Sequence, residues 1–147
     1  MADIARNRQA SYKYNLLEKW EAGLQLQGSE VKSLRNGSVQ LKDAFATVND
    51  GEVWLHNMHI APYAPASREN HDPDRSRKLL LHKGEIERLI GRTSEKGLTL
   101  IPTRIYWKNG RAKVEIALAR GKNVQDKRRY LKEKDARREI QQALQDR

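Results

Sequence analysis

The run from Leu98 to Leu118, interrupted only at Asn109-Gly110, constrains the fold of this chain more than any other stretch. In its second arm Val114, Ile116 and Leu118 alternate with Lys113 and Glu115. A period of two is that of a strand with one buried and one wet face. Asn-Gly accepts the positive φ that a two-residue hairpin turn needs at both central positions. The run therefore predicts an antiparallel hairpin, and a lone hairpin is marginal in water, so further strands must cover its apolar face.

The rest of the chain supplies them. Phe45 to Val48 and Glu52 to Ile60 flank Asn49-Asp50-Gly51, a second hairpin signal, and Leu24, Leu26 and Gly28 alternate as a strand does. Three short helices are expected. Tyr12 to Trp20 has apolar residues at 12, 16, 17 and 20, Glu30 to Arg35 ends before Gly37, and His82 to Ile90 offers Ile86, Leu89 and Ile90 as a buried side. A Pro-broken loop from Pro62 to Arg75 precedes Leu79 to Leu81, read as a strand or a helix entry. The expected fold class is mainly β with short helices: an OB-like β-barrel with flanking helices, a ribosomal-protein-like sandwich being the alternative.

Charge gives the next constraint. The 147 residues carry a formal net charge of +10, which attracts phosphate. Residues 121–147 hold nine cations against five acids, with only Tyr130, Leu131, Ile140 and Leu144 as large apolar residues. Such a segment favours helix intrinsically but has no core of its own. It is expected to be disordered when free and helical on a polyanion. The division is thus a body, residues 1–120, and a basic tail, 121–147. Cysteine is absent, which excludes thiolate chemistry, disulfides and Cys-type zinc sites. No apolar stretch approaches the roughly 20 residues of a membrane span, and the first residues lack a secretory apolar region. A soluble, cytoplasmic protein with no membrane partner is expected.

Two constellations suit RNA. Lys32 and Arg35 lie three apart on one side of a short helix, where they can neutralise adjacent phosphates. Glu21 and Glu30 are the odd members of that region. A carboxylate there accepts from a base amino group, or orients a cation, or pairs with Lys19, Lys32 or Arg35 on a solvated face. The second constellation is Arg75, Arg77, Lys78, His82 and Lys83, three of its cations falling within four residues beside Pro73. Among the aromatics, most of Tyr12, Tyr14, Tyr63, Trp54, Tyr106 and Trp107 are expected in the core, with Trp107 the best candidate for exposure and base stacking. Catalysis is poorly supported. The histidines are scattered, no phosphate-binding Gly-rich loop exists, and no metal or other cofactor is called for. A small basic nuclease built on His71, Asp72 and Asp74 is the one enzymatic alternative.

Five segments in order resemble the SsrA-binding protein family (small protein B, SmpB). They are Glu21-Ala-Gly-Leu24; Gly28-Ser-Glu-Val-Lys-Ser-Leu-Arg35; Asp72-Pro with Arg75 and Arg77-Lys-Leu-Leu-Leu-His82; Gly97, Thr99, Pro102 and Tyr106; and Ala119, Gly121-Lys122 with Asp126-Lys-Arg128. The resemblance implies a barrel that grips the tRNA-like domain of transfer-messenger RNA (tmRNA), without catalysis, for trans-translation on stalled ribosomes. It places Glu21, Leu80 and His82 at RNA-contacting positions, and with the constellations above the expected RNA-binding residues are Glu21, Gly23, Glu30, Lys32, Arg35, Arg75, Arg77, Lys78, Leu80, His82 and Lys83, although Leu80 is equally readable as core. The tail would become helical in the empty mRNA channel, with Gly121, Lys122, Gln125, Asp126, Lys127 and Arg128 contacting ribosomal RNA at the decoding site. The tRNA-delivering elongation factor would be an indirect partner. A ribosomal or translation-factor protein of the same barrel type is the runner-up. Tyr12 and Gln125 depart from the pattern: many relatives have histidine at the first and an aromatic or histidine at the second.

Overall fold

The computed structural model describes residues 3–63, 70–95, 97–122, 132 and 134–138. Nine strands and three helices are defined among the described residues between 3 and 122. The two predicted hairpins are present. Strand β8 (Leu98–Lys108) and strand β9 (Arg111–Gly121) pair along their whole length, with Asn109 at φ 53° and Gly110 at φ 74° making the turn. Strands β4 (Phe45–Asn49) and β5 (Glu52–His56) meet through Asp50 at φ 51° and Gly51 at φ 76°. Both turns have the double positive φ that matches strand twist.

A long second strand corrects one expectation. Helix α1 is only Ala10–Lys13, and strand β2 (Tyr14–Leu24) replaces the rest of the predicted helix. Trp20, Ala22 and Leu24 also fit a period of two facing the core, and across a register shift between Leu16 and Glu18, Tyr14 and Leu16 pack on the outer cluster instead; strand wins because β9 is there to pair with it. Leu17 is left on the outside, 48% exposed. Strand β7 (Arg77–Leu80) then joins β2 to β5. The ring closes in the order β8-β4-β5-β7-β2-β9 and back to β8, all antiparallel. Strand β1 (Asp3–Arg6) lies along β8 beyond the β4 contact, and β3 (Val39–Gln40) pairs with β6 (His59–Ile60) as a small separate sheet. The predicted strand to Ile60 breaks at Asn57, whose φ is 63°.

Inside the ring sit Trp20, Ala22, Val53, Leu55, Leu79, Leu100, Ile105, Val114, Ile116 and Leu118. Each large apolar side chain so buried contributes on the order of 1.5–3 kcal/mol. On the outside, Ala117 and Ala119 are also buried, and Ala119 packs with Ala10 and Ile101, the second small cluster, which seats α1. Helix α2 (Gly28–Arg35) contributes Leu34 to the main core, and Gly37 at φ 70° closes it by donating its N–H to the Leu34 carbonyl. Helix α3 (Lys83–Thr93) buries Leu89 alone; Ile86 is half-buried and Ile90 is 46% exposed, so the expected three-residue buried side is narrower than the periodicity suggested.

Candidate nucleic-acid interface

The two predicted constellations are brought together only in part. Gly23 of β2 pairs directly with Leu80 of β7, and a Cβ on Gly23 would lie 3.3 Å from the Leu80 Cβ. Glycine there lets the two strands close beside one another. Around this contact opens a cleft of about 620 Å³ lined by Glu21, Gly23, Leu80 and His82, together with Trp107, Arg111 and Lys113. Leu80 is 51% exposed, so it is a surface residue and not core. His82 caps the start of α3, where Glu85 accepts its backbone N–H at 3.1 Å, which fixes its position at the cleft rim.

Glu21 is held from behind. The Tyr106 hydroxyl donates to its Oε2, and the Lys108 ammonium lies 3.2 Å from Oε1 and 3.4 Å from Oε2. The Tyr106 hydrogen bond, against the cost of burial and with help from Lys108 and Lys113, holds the Glu21 carboxyl below its ordinary pKa of 4.5. Burial first, and then Glu21, push the Tyr106 phenol up to about 12. The guanidinium of Arg104 stacks 4.4 Å over the Tyr106 ring and is itself tied to Asp3 at 2.9 Å. Lys108, Arg111 and Lys113 thus surround a carboxylate held in one place.

The other predicted glutamate behaves differently. Glu30 and Arg77 are both fully buried, and Arg77 Nε donates to Glu30 Oε2 at 2.5 Å. Period-two alternation in β7 puts Arg77 on the same inward face as Leu79, so its charge needs a buried partner. Glu30 also takes Arg75 at 2.5 Å and the Gln27 N–H at 2.8 Å. Arg77 further donates to the carbonyls of Met58 and Pro73. Burial raises the Glu30 pKa, but Arg75, the Gln27 N–H and Arg77 together outweigh it and leave the group lowered. The expectation of direct RNA contact is therefore corrected for these two side chains: they lie beneath the surface and tie α2 to the segment that enters β7.

The remaining cations spread out. Lys78 points away from Arg77, towards Glu52 at 3.6 Å, so the three cations near Pro73 do not form one cluster. Lys32 and Arg35 are exposed on α2, Lys32 lying 5.5 Å from the centre of the Tyr63 ring, and Lys83 is exposed in the first turn of α3. Gly121 ends β9 opposite Tyr14, and Lys122 is fastened to α1 through its N–H to the Lys13 carbonyl at 2.8 Å and its ammonium to the Ser11 carbonyl at 2.5 Å. Gln125, Asp126, Lys127 and Arg128 lie outside the described residues; Lys132 and residues 134–138 are helical.

The nuclease alternative loses its geometry. His71 is buried, its Nε2–H donating to the Ile60 carbonyl at 2.9 Å with the Ser29 hydroxyl 2.8 Å from Nδ1. Asp74 faces His59 at 2.9 Å, while Asp72 accepts the Asp74 N–H. No metal-holding group of three or more such side chains exists among the described residues, and no described helix is long and apolar enough to cross a membrane.

The sequence matches the family described as SmpB protein over residues 4–146. The chain belongs to the SmpB family. It is 57% identical over 141 residues to the SsrA-binding protein of Sulfurihydrogenibium sp. (strain YO3AOP1), covering 96% of this chain and 93% of that one. The Bacillus cytotoxicus SsrA-binding protein is 59% identical over 144 residues, 98% of this chain and 93% of its own. A solved structure described as "tmRNA-SmpB: a journey to the center of the bacterial ribosome" superposes with a TM-score of 0.70 at 52% identity, covering 84% of this chain and 87% of that chain.

Sequence reasoning missed the wall behind Glu21. Tyr106 is buried, as expected of most of the aromatics, but its hydroxyl contact to Glu21 was not foreseen, nor was a binding role for Lys108, Arg111 or Lys113. The signal was available in the hairpin register: with Asn109-Gly110 as the turn, Lys108 faces Arg111 and Tyr106 faces Lys113, all out of phase with the inward Val114.

Proposed function

We propose that this protein is an RNA-binding adaptor, with no catalytic step of its own, that holds the tRNA-like domain of tmRNA and carries it to stalled ribosomes in the bacterial cytoplasm for trans-translation. The observation that carries the reading is the cleft in which Glu21, Gly23, Leu80 and His82 meet Trp107, Arg111 and Lys113. Cations on a groove rim hold phosphates, an indole and an exposed leucine offer apolar faces for bases, and a carboxylate accepts from base N–H groups. Lys32, Arg35, Lys78 and Lys83 add phosphate contacts around it. The body, 1–120, is the unit that grips the RNA, and Arg75 contributes both to Glu30 and, at 30% side-chain exposure, to the surface. The tail, 121–147, enters the mRNA channel as a basic helix, starting from a fixed point because Lys122 is fastened to α1. Asp126 orients Lys127 or Arg128 there, and the elongation factor that delivers tRNA is met only through the RNA.

The test is the affinity of the full chain for tRNA-like RNA and for an unrelated hairpin across a salt series. Counterion release weakens both with salt, so a preference for the tRNA-like RNA that survives at high salt supports the reading. Equal affinities at every salt concentration would contradict it.

A further inference from the structure

The geometry points to Tyr106 as the positioning residue of RNA recognition: its buried hydroxyl sets the Glu21 carboxylate so that the free acceptor positions of that group face an unpaired base in the cleft. This rests on the function proposed above and adds to it a residue that touches no RNA itself. Tyr106 is 2% exposed and is not among the residues that line the cleft, whereas Glu21, with its side chain 38% exposed, is.

A carboxylate has about four acceptor positions over its two oxygens. Here the Tyr106 hydroxyl takes one on Oε2, and the Lys108 ammonium spans the pair from the outer side. Acceptor capacity remains on both oxygens. Left alone, a half-exposed glutamate on a strand would sample several rotamers, and in a wall of cations it would collapse onto Lys113 or Arg111. The phenol, beside it on the outer face, prevents that. It is a rigid anchor, because Asp3 of β1 holds Arg104, Arg104 stacks on the phenol ring, and the residue is only 2% exposed. It is also a permanent donor, since with its pKa near 12 the phenol keeps its proton at any physiological pH.

The ligand chemistry follows. An acceptor pair with no donor of its own selects the edge of a base that carries N–H groups, and it repels a phosphate, which has none. Backbone contacts at Arg111 and Lys113 cannot make that distinction. Loss of the phenolic hydroxyl therefore blurs selectivity and leaves electrostatic affinity in place.

Binding of full-length wild type, Tyr106→Phe, Glu21→Gln and the double variant to tRNA-like RNA and to an unrelated hairpin, at high salt, tests this. Phenylalanine keeps the ring and its packing, and circular dichroism with thermal unfolding checks that each variant is folded at the assay temperature. The expected result is a loss of preference for the tRNA-like RNA of about 3- to 10-fold in Tyr106→Phe, the scale of one hydrogen bond, with hairpin affinity unchanged. In the Glu21→Gln background the same change should add almost nothing, because the group it positions is gone. An undiminished preference in folded Tyr106→Phe, or the same loss in both backgrounds, would overturn the inference while leaving the function standing. Absence of any preference in the wild type would instead remove the function reading, and this inference with it.

Discussion

Glu21 and Glu30 both pair with arginine or lysine, yet the barrel uses them in opposite ways. Glu30 is enclosed: two guanidinium groups and a backbone N–H satisfy it, and nothing of it reaches solvent. Glu21 is pinned on one side by a phenol and a lysine and left open on the other. The difference lies in strand phase and neighbours. Glu30 sits on the inner side of α2, against an inward-pointing arginine, while Glu21 sits on the outer face of β2. A buried ion pair costs desolvation and is strongly missed when one partner goes, whereas an exposed one contributes little to stability. One glutamate should therefore govern folding and the other recognition.

The largest expected effect is on stability. Glu30→Ala strands two guanidinium groups and should cost about 3–5 kcal/mol in urea unfolding. A loss below about 1 kcal/mol would erase the contrast, since an exposed pair costs that much. Glu21→Gln should shift unfolding by less than about 1 kcal/mol, the value of a solvent-screened interaction, while lowering preference for tRNA-like RNA by about tenfold. Leu80→Ala sharpens the same division on the apolar side. At 51% exposure the side chain adds little to the core, so stability should hold within about 1 kcal/mol while RNA affinity falls several-fold.

Titration separates the two glutamates more finely. Glu30 is held below its ordinary value of 4.5, so it adds stability above pH 4.5, and this is lost as pH falls through the folded value. Acid unfolding of wild type should therefore be steeper than that of Glu30→Gln, whose remaining stability lacks that arm. The smallest effect is alkaline. Because Tyr106 is raised from 10.0 to about 12, the unfolded chain loses its proton first, and wild-type stability should decline between those values relative to Tyr106→Phe. Equal alkaline slopes in urea titrations of the two proteins would mean that neither burial nor Glu21 raises the phenol.

How much of this was readable in the sequence depends on where a residue's neighbours come from. Both hairpins, α2 with its glycine stop and α3 follow from local turn chemistry and periodicity, which act over a few residues. Tyr12 to Trp20 satisfied two periods at once, and only pairing with β9, about a hundred residues away in the chain, decided between them. Burial of Arg77 was hidden for the same reason: three nearby cations look alike until strand alternation sends one inward to a glutamate 47 residues back. Leu80 was expected through resemblance alone and His82 through its basic constellation as well; their nearness to Glu21 and Gly23 comes from the pairing of β2 with β7, which lie far apart in sequence. Tyr106 went unnoticed as a functional group because its role depends on a contact 85 residues distant in sequence.

The central claim is that RNA enters the cleft between β2, β7 and the β8–β9 turn. Backbone amide NMR of the isotopically labelled full chain, titrated with tRNA-like RNA at high salt, tests it most directly. The account predicts the largest shifts at Gly23, Leu80, His82, Gly110 and Lys113, with the buried Glu30 and Arg77 amides moving little. Shifts gathered on another face of the barrel, with the amides of Gly23 and Leu80 unmoved at saturation, would contradict it.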